Sequence, residues 1–114
     1  MVAAYSKLKI GMPMEDGTLV GPLHSKMAVQ QYVDGIETIK KQGGKILCGG
    51  KVLPGEGNFV MPTIVEISHD AKIVQHEIFA PIVYVFKYKN LDEAIRMNNS
   101  VPQGLSSAVF TKDL

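Results

Sequence analysis

The residues best suited to chemistry lie in one short stretch, His76-Glu77-Ile78-Phe79-Ala80-Pro81. A carboxylate, Glu77, and an aromatic ring, Phe79, sit two residues apart there. Pro81 biases Ala80 toward extended backbone and away from helix. A carboxylate taken out of water needs hydrogen-bond donors, and a ring beside it packs best against a flat partner. A ribose with two hydroxyls and an adjoining heterocycle satisfies both. A plainer arrangement, a solvated glutamate next to a core phenylalanine, fits the same spacing, and at this level the two stay open.

The other reactive side chains form weaker patterns. His24, His69 and His76 include two with an adjacent carboxylate, Asp70 and Glu77. No histidine pair, or glutamate–histidine pair, falls on one face of a helical pattern, so the histidines read as surface residues and no metal site is expected. Ser106 and Ser107 lie in an extended pattern rather than at a Gly-x-Ser-x-Gly elbow, which argues against a serine nucleophile. Cys48 sits in a short apolar run without a histidine beside it in sequence. A buried, inert thiol is the expectation, because activation needs an electropositive, partly exposed setting. Gly43-Gly44 and Gly49-Gly50 are turn glycines, not a phosphate-binding loop.

Several elements must position these groups. The apolar run Ile82-Val83-Tyr84-Val85-Phe86 after Pro81 reads as a strand buried on both faces. Val29, Tyr32, Val33, Ile36 and Ile39 fall three and four apart, which predicts a helix from about Leu23 to Gln42, ended by Lys40-Lys41 and Gly43-Gly44. Residues 45–48 and 62–67 read as strands. Pro54-Gly55-Glu56-Gly57 reads as a turn between Lys51–Leu53 and Phe59–Met61. Residues 68–75 are polar enough for a short helical turn capped by Ser68 or Asp70. Asn90 and Glu93 form a capping-box-like helix start, with the helix reaching about Asn99. Leu105–Phe110 then reads as a strand, so that residues 82–110 would make a βαβ unit with two parallel strands.

Composition bounds the function. The chain has 114 residues, about one domain, with 46 % apolar and 20 % charged residues and a net charge of +1. No basic run exceeds Lys40-Lys41, which argues against nucleic acid or an anionic membrane surface. No apolar stretch approaches the ~18 residues of a membrane span. The N-terminal residues lack a signal-peptide pattern, and a single cysteine fits a reducing compartment. Residues 1–10 read as the last turn of a helix already under way, and the end at Leu114 as a strand without a closing element. Both ends therefore read as truncated.

A resemblance extends this reading. Gly21-Pro22-Leu23, Gly43-Gly44-Lys45, Gly49-Gly50, Pro62-Thr63-Ile64-Val65, Glu77-x-Phe79-x-Pro81, and Asn99 to Gly104-Leu105 with Val109-Phe110-Thr111 occur in one order across essentially the whole chain. Together they resemble the C-terminal catalytic part of NAD(P)-dependent aldehyde dehydrogenases. Gly21-Pro22-Leu23-His24-Ser25-Lys26, Phe79-Ala80-Pro81 (most of the family carries glycine at position 80), Gln103–Ser107 and Phe110–Leu114 resemble the antiquitin-like branch, the α-aminoadipic semialdehyde dehydrogenases.

The resemblance implies an α/β fold for residues 1–114, part of that catalytic domain, a mostly parallel sheet with flanking helices and no Rossmann domain. It implies NAD as cofactor, with Glu77 bonding the hydroxyls of the nicotinamide-side ribose and Phe79 packing beside that ribose and the nicotinamide. It implies oxidation of an aldehyde to an acid through a cysteine thioester in a full-length homo-oligomer, in the cytoplasm or the mitochondrion. The family's nucleophile and general base lie upstream of the matched region, and Cys48 does not match that nucleophile. No catalytic residue is therefore expected here, and the fragment is expected to be inactive alone. The alternatives are a truncated, non-catalytic module that binds subunits, and an unrelated α/β binding module.

Overall fold

A computed structural model describes residues 1–112. In chain order it contains α1 (Val2–Tyr5), α2 (Lys26–Lys41), β1 (Lys45–Cys48), β2 (Thr63–Glu66), a 3-10 turn (Lys72–Gln75), β3 (Ile82–Val85) and α3 (Leu91–Asn98). The chain is α/β, as expected, and its sheet is mixed. β1 pairs antiparallel with β2, and β2 pairs parallel with β3, in the order β1-β2-β3.

The helix α2 starts later than its apolar spacing suggests. Ser25 is extended and its Oγ accepts the Ala28 N–H at 3.1 Å, capping the first turn. Leu23 is taken out of the helix by a long-range bond, its N–H donating to the Asn58 carbonyl at 2.8 Å. At the far end Gly43 adopts φ +83°, and the Gly44 N–H closes on the Ile39 carbonyl at 2.8 Å. Ala28, Tyr32, Gly35, Ile36 and Ile39 form the buried face. Tyr32, Ile36 and Ile39 pack against Val60, Val65, Ile67 and Ile73 from the sheet and its following loop. Burying an isoleucine such as Ile39 contributes about 2–3 kcal/mol.

The strand buried on both faces is β2, not the 82–86 run. Thr63, Ile64 and Val65 are all fully buried, whereas every residue of β3 is half-buried. β3 lies at the sheet edge, and Ile82, Tyr84 and Phe86 pack against the core. Its parallel partner is reached through residues 67–81, so the parallel pair is β2–β3. Residues 105–110 form no strand among the described residues, and Leu105, Val109 and Phe110 are exposed. Strand geometry is stabilised by a neighbour's hydrogen-bond ladder, and this segment finds none there.

Smaller details follow the expected chemistry with local changes. Val52 and Val60 form an antiparallel bridge around the Pro54–Gly57 turn. The 3-10 turn has Ala71 at its cap with no side-chain bond. Ser68 instead accepts the Ala71 N–H through its carbonyl at 3.1 Å. α3 has the expected cap: Asn90 Oδ1 accepts the Glu93 N–H at 2.9 Å, and Glu93 Oε2 accepts the Lys89 N–H at 2.7 Å. Among the described residues, no helix is long and apolar enough to cross a membrane.

Candidate functional site

The 76–81 loop links the 3-10 turn to β3. The Thr63 N–H donates to the Pro81 carbonyl at 2.9 Å, fixing the end of the loop to the central strand. Within it the Ala80 N–H reaches the Ile78 carbonyl at 2.6 Å, and the Ile82 N–H reaches the Ala80 carbonyl at 2.8 Å. Such consecutive three-residue turns hold a short segment tightly at a strand entrance.

Glu77 and Phe79 line one open groove of about 510 Å³ together with Pro22, Leu23, His24 and Pro81. That volume lies in the range of small-molecule sites. Glu77 is exposed and has no hydrogen-bond or ion-pair partner among the described residues. Phe79 is 72 % exposed, so it is not the core phenylalanine of the plainer arrangement, and Glu77 is not buried. The pair presents two carboxylate oxygens, which can only accept, and an uncovered ring face. A vicinal diol with an attached heterocycle supplies the matching donors and the flat surface.

The sequence pattern did not reveal the opposite wall, Pro22–His24. The Leu23–Asn58 bond brings that segment there across the fold. His24 is exposed on this groove and His76 is exposed in the loop.

A second feature hidden from spacing is the polar knot beneath the loop. Thr63 is completely buried, and its Oγ1 lies 2.8 Å from Tyr32 Oη, the Gly50 N–H and the Met61 carbonyl. Tyr32 Oη also donates to the Met61 carbonyl at 2.9 Å. Burial pushes the Tyr32 phenol above its ordinary value, opposed by its bonds to Thr63 and nearby backbone. The donor Gly50 and its neighbour Gly49 have φ of +74° and +78°, and a Cβ on Gly49 would collide with the Pro62 carbonyl.

The remaining candidates have structural roles. His69 is not a surface histidine, its side chain being 14 % exposed. Its Nε2 lies 2.8 Å from Ser100 Oγ and 3.2 Å from the Met97 carbonyl, and its ring meets Phe86 edge-on at 5.5 Å. It fastens the end of α3 to the sheet. Asp70 lies 3.6 Å from His69 Nδ1, but Ser100 Oγ donates to the Met97 carbonyl at 2.8 Å, so the three do not form a nucleophilic triad. Cys48 is half-buried rather than buried, at a bulge in β1, and does not line the Glu77 groove. Among the described residues, no group of three or more histidine, cysteine, aspartate or glutamate side chains could hold a metal ion.

The described residues thus form an α/β segment with a loop-borne carboxylate and ring over an open groove. Residues 1–114 match the aldehyde dehydrogenase family, and the chain belongs to that family. Its relatives place it in the antiquitin-like branch. It is 62 % identical over 112 residues to aldehyde dehydrogenase family 7 member A1 of Pisum sativum, covering 98 % of this chain and 22 % of that protein. It is 54 % identical over 112 residues to α-aminoadipic semialdehyde dehydrogenase of Rattus norvegicus, covering 97 % of this chain and 21 % of that one. The chain thus spans about a fifth of the length of these relatives. Its fold superposes on the NAD+ complex of an aldehyde dehydrogenase from Bacillus cereus with a TM-score of 0.93 and 34 % identity, over 99 % of this chain and 23 % of that one.

Proposed function

We propose that this chain is the nicotinamide-ribose-holding part of an NAD-dependent aldehyde dehydrogenase, with Glu77 accepting from the two ribose hydroxyls and Phe79 packing beside the ribose and nicotinamide. The observation that carries it is a carboxylate and a large ring, both exposed and lining one groove, the carboxylate without a hydrogen-bond or ion-pair partner among the described residues. An exposed phenylalanine gains nothing from water, and a flat ligand face would cover it. NAD, when bound, accepts a hydride from the substrate carbon. The residues of this chain orient it: Thr63 anchors the loop at Pro81, the loop presents Glu77, and Phe79 limits the tilt of the ring system. Orientation matters because hydride transfer needs reacting atoms close and aligned. The similarity to aldehyde dehydrogenase family 7 relatives and to the solved NAD+ complex supports this reading.

The thiolate that would form the acyl thioester, and its general base, lie in this proposal outside residues 1–114, so the segment acts within a longer, homo-oligomeric chain. An α-aminoadipic-semialdehyde-like aldehyde is the substrate favoured by the antiquitin-like relatives. Glu77→Gln in the full-length protein tests the reading. Exchanging charge-assisted bonds for neutral ones removes about 1–2 kcal/mol, so NAD affinity should fall about 5- to 30-fold. The melting temperature should stay put, since Glu77 is exposed. Unchanged NAD affinity and unchanged turnover would remove the assignment.

A further inference from the structure

Gly35 stands in the middle of α2, a helix of 16 residues, and is buried. Glycine there sacrifices more backbone entropy on folding than any other residue, so something must require the missing side chain. A Cβ at position 35 would lie 2.6 Å from Ile78 Cδ1 and 3.4 Å from each of its two Cγ atoms. Carbon contacts are comfortable at about 3.5–4.0 Å, so Cδ1 alone clashes. The hollow over Gly35 is therefore the seat of the Ile78 side chain. Ile78 is the residue between Glu77 and Phe79, and its carbonyl is bound by the Ala80 N–H.

We infer that Gly35 is a positioning residue: by leaving room for Ile78 Cδ1, it sets how far Glu77 and Phe79 stand above the groove. The inference rests on the reading that those two side chains hold the cofactor ribose. A methyl group at position 35 lifts Ile78 and its two neighbours together. Ile78 belongs to the loop lining the groove and only packs against the buried core, so the main effect falls on the site rather than on folding.

The experiment compares Gly35→Ala with Gly35→Ala/Ile78→Val in the full-length protein. Ile78→Val deletes Cδ1 and keeps both Cγ atoms. Gly35→Ala should raise Kd and KM for NAD about three- to tenfold, with a smaller change in kcat and a melting temperature close to the parent. The double variant should return NAD affinity to within about twofold of the parent, which ties the loss to the Ile78 Cδ1 contact, while the unchanged melting temperature separates it from a folding defect. An unchanged KM in Gly35→Ala, or a rise that Ile78→Val leaves in place, would overturn the inference. Should Gly35→Ala not yield soluble protein, Ile78→Ala carries the test, with a raised KM for NAD expected and an unchanged one overturning it. Glu77→Gln separates the two levels. If it weakens NAD binding while Gly35→Ala does not, only the positioning role fails; if it leaves NAD binding intact, the ribose assignment itself fails.

Discussion

Thr63→Val is the perturbation that probes the framework under the site most directly. Valine keeps the shape of threonine and deletes one buried hydroxyl. That oxygen lies 2.8 Å from the Gly50 N–H, Tyr32 Oη and the Met61 carbonyl. Tyr32 Oη keeps a bond to the Met61 carbonyl after the change, but the Gly50 N–H loses its Oγ1 acceptor. Gly50 sits at φ +74° just past the end of β1, so its N–H has little freedom to find another acceptor. A lost hydrogen bond contributes about 1 kcal/mol and an orphaned, partly buried donor about 1–3 kcal/mol more, giving about 2–4 kcal/mol. Tyr32→Phe is the control. It leaves Thr63 with both the Gly50 donor and the Met61 acceptor, so only about 1 kcal/mol is at stake.

Thr63→Val should therefore lower stability by about 2–4 kcal/mol, and by clearly more than Tyr32→Phe. Differential scanning calorimetry, with urea midpoints as a second probe, measures both. Equal losses in the two variants, or a loss below about 1 kcal/mol for Thr63→Val, would refute the claim that this hydroxyl organises the knot.

Three further outcomes follow from the same geometry. Tyr84 Oη is buried without a hydrogen-bond partner among the described residues, so Tyr84→Phe should be neutral or stabilising by up to about 1 kcal/mol, in contrast to Tyr32→Phe, and urea unfolding checks it. Burial raises both Tyr32 and Tyr84 above the ordinary 10.0, so the folded state keeps these protons after the unfolded state has lost them; stability should be fully present below pH 10 and decline as pH rises beyond it, less steeply in Tyr84→Phe, as urea midpoints between pH 8 and 11 would show. Cys48→Ala should cost about 1 kcal/mol or less at this half-buried position and leave full-length turnover intact, and a loss of turnover at unchanged stability would contradict its structural role.

The parts of the fold legible in the sequence are those set by near neighbours. The end of α2 was readable from Lys40-Lys41-Gln42-Gly43-Gly44, because the cap and the left-handed glycine act within one turn. The cap of α3 was readable from Asn90 and Glu93 for the same reason. The start of α2 was not, because Leu23 is drawn off by Asn58, a residue far along the chain. The run 82–86 announced a strand, but an all-apolar run reads alike at the centre and at an edge, and position in the sheet depends on which partners arrive. Leu105–Phe110 shows the limit of this reasoning, since its strand pattern becomes a strand only when another strand lies alongside. The candidate site divides in the same way. Glu77 and Phe79 stood out by type and spacing, whereas the Pro22–His24 wall, the Thr63 hydroxyl and the hollow over Gly35 are products of tertiary approach. A glycine in the middle of an amphipathic helix was the one local trace of that approach, because a residue poorly suited to its helix implies a neighbour needing the space.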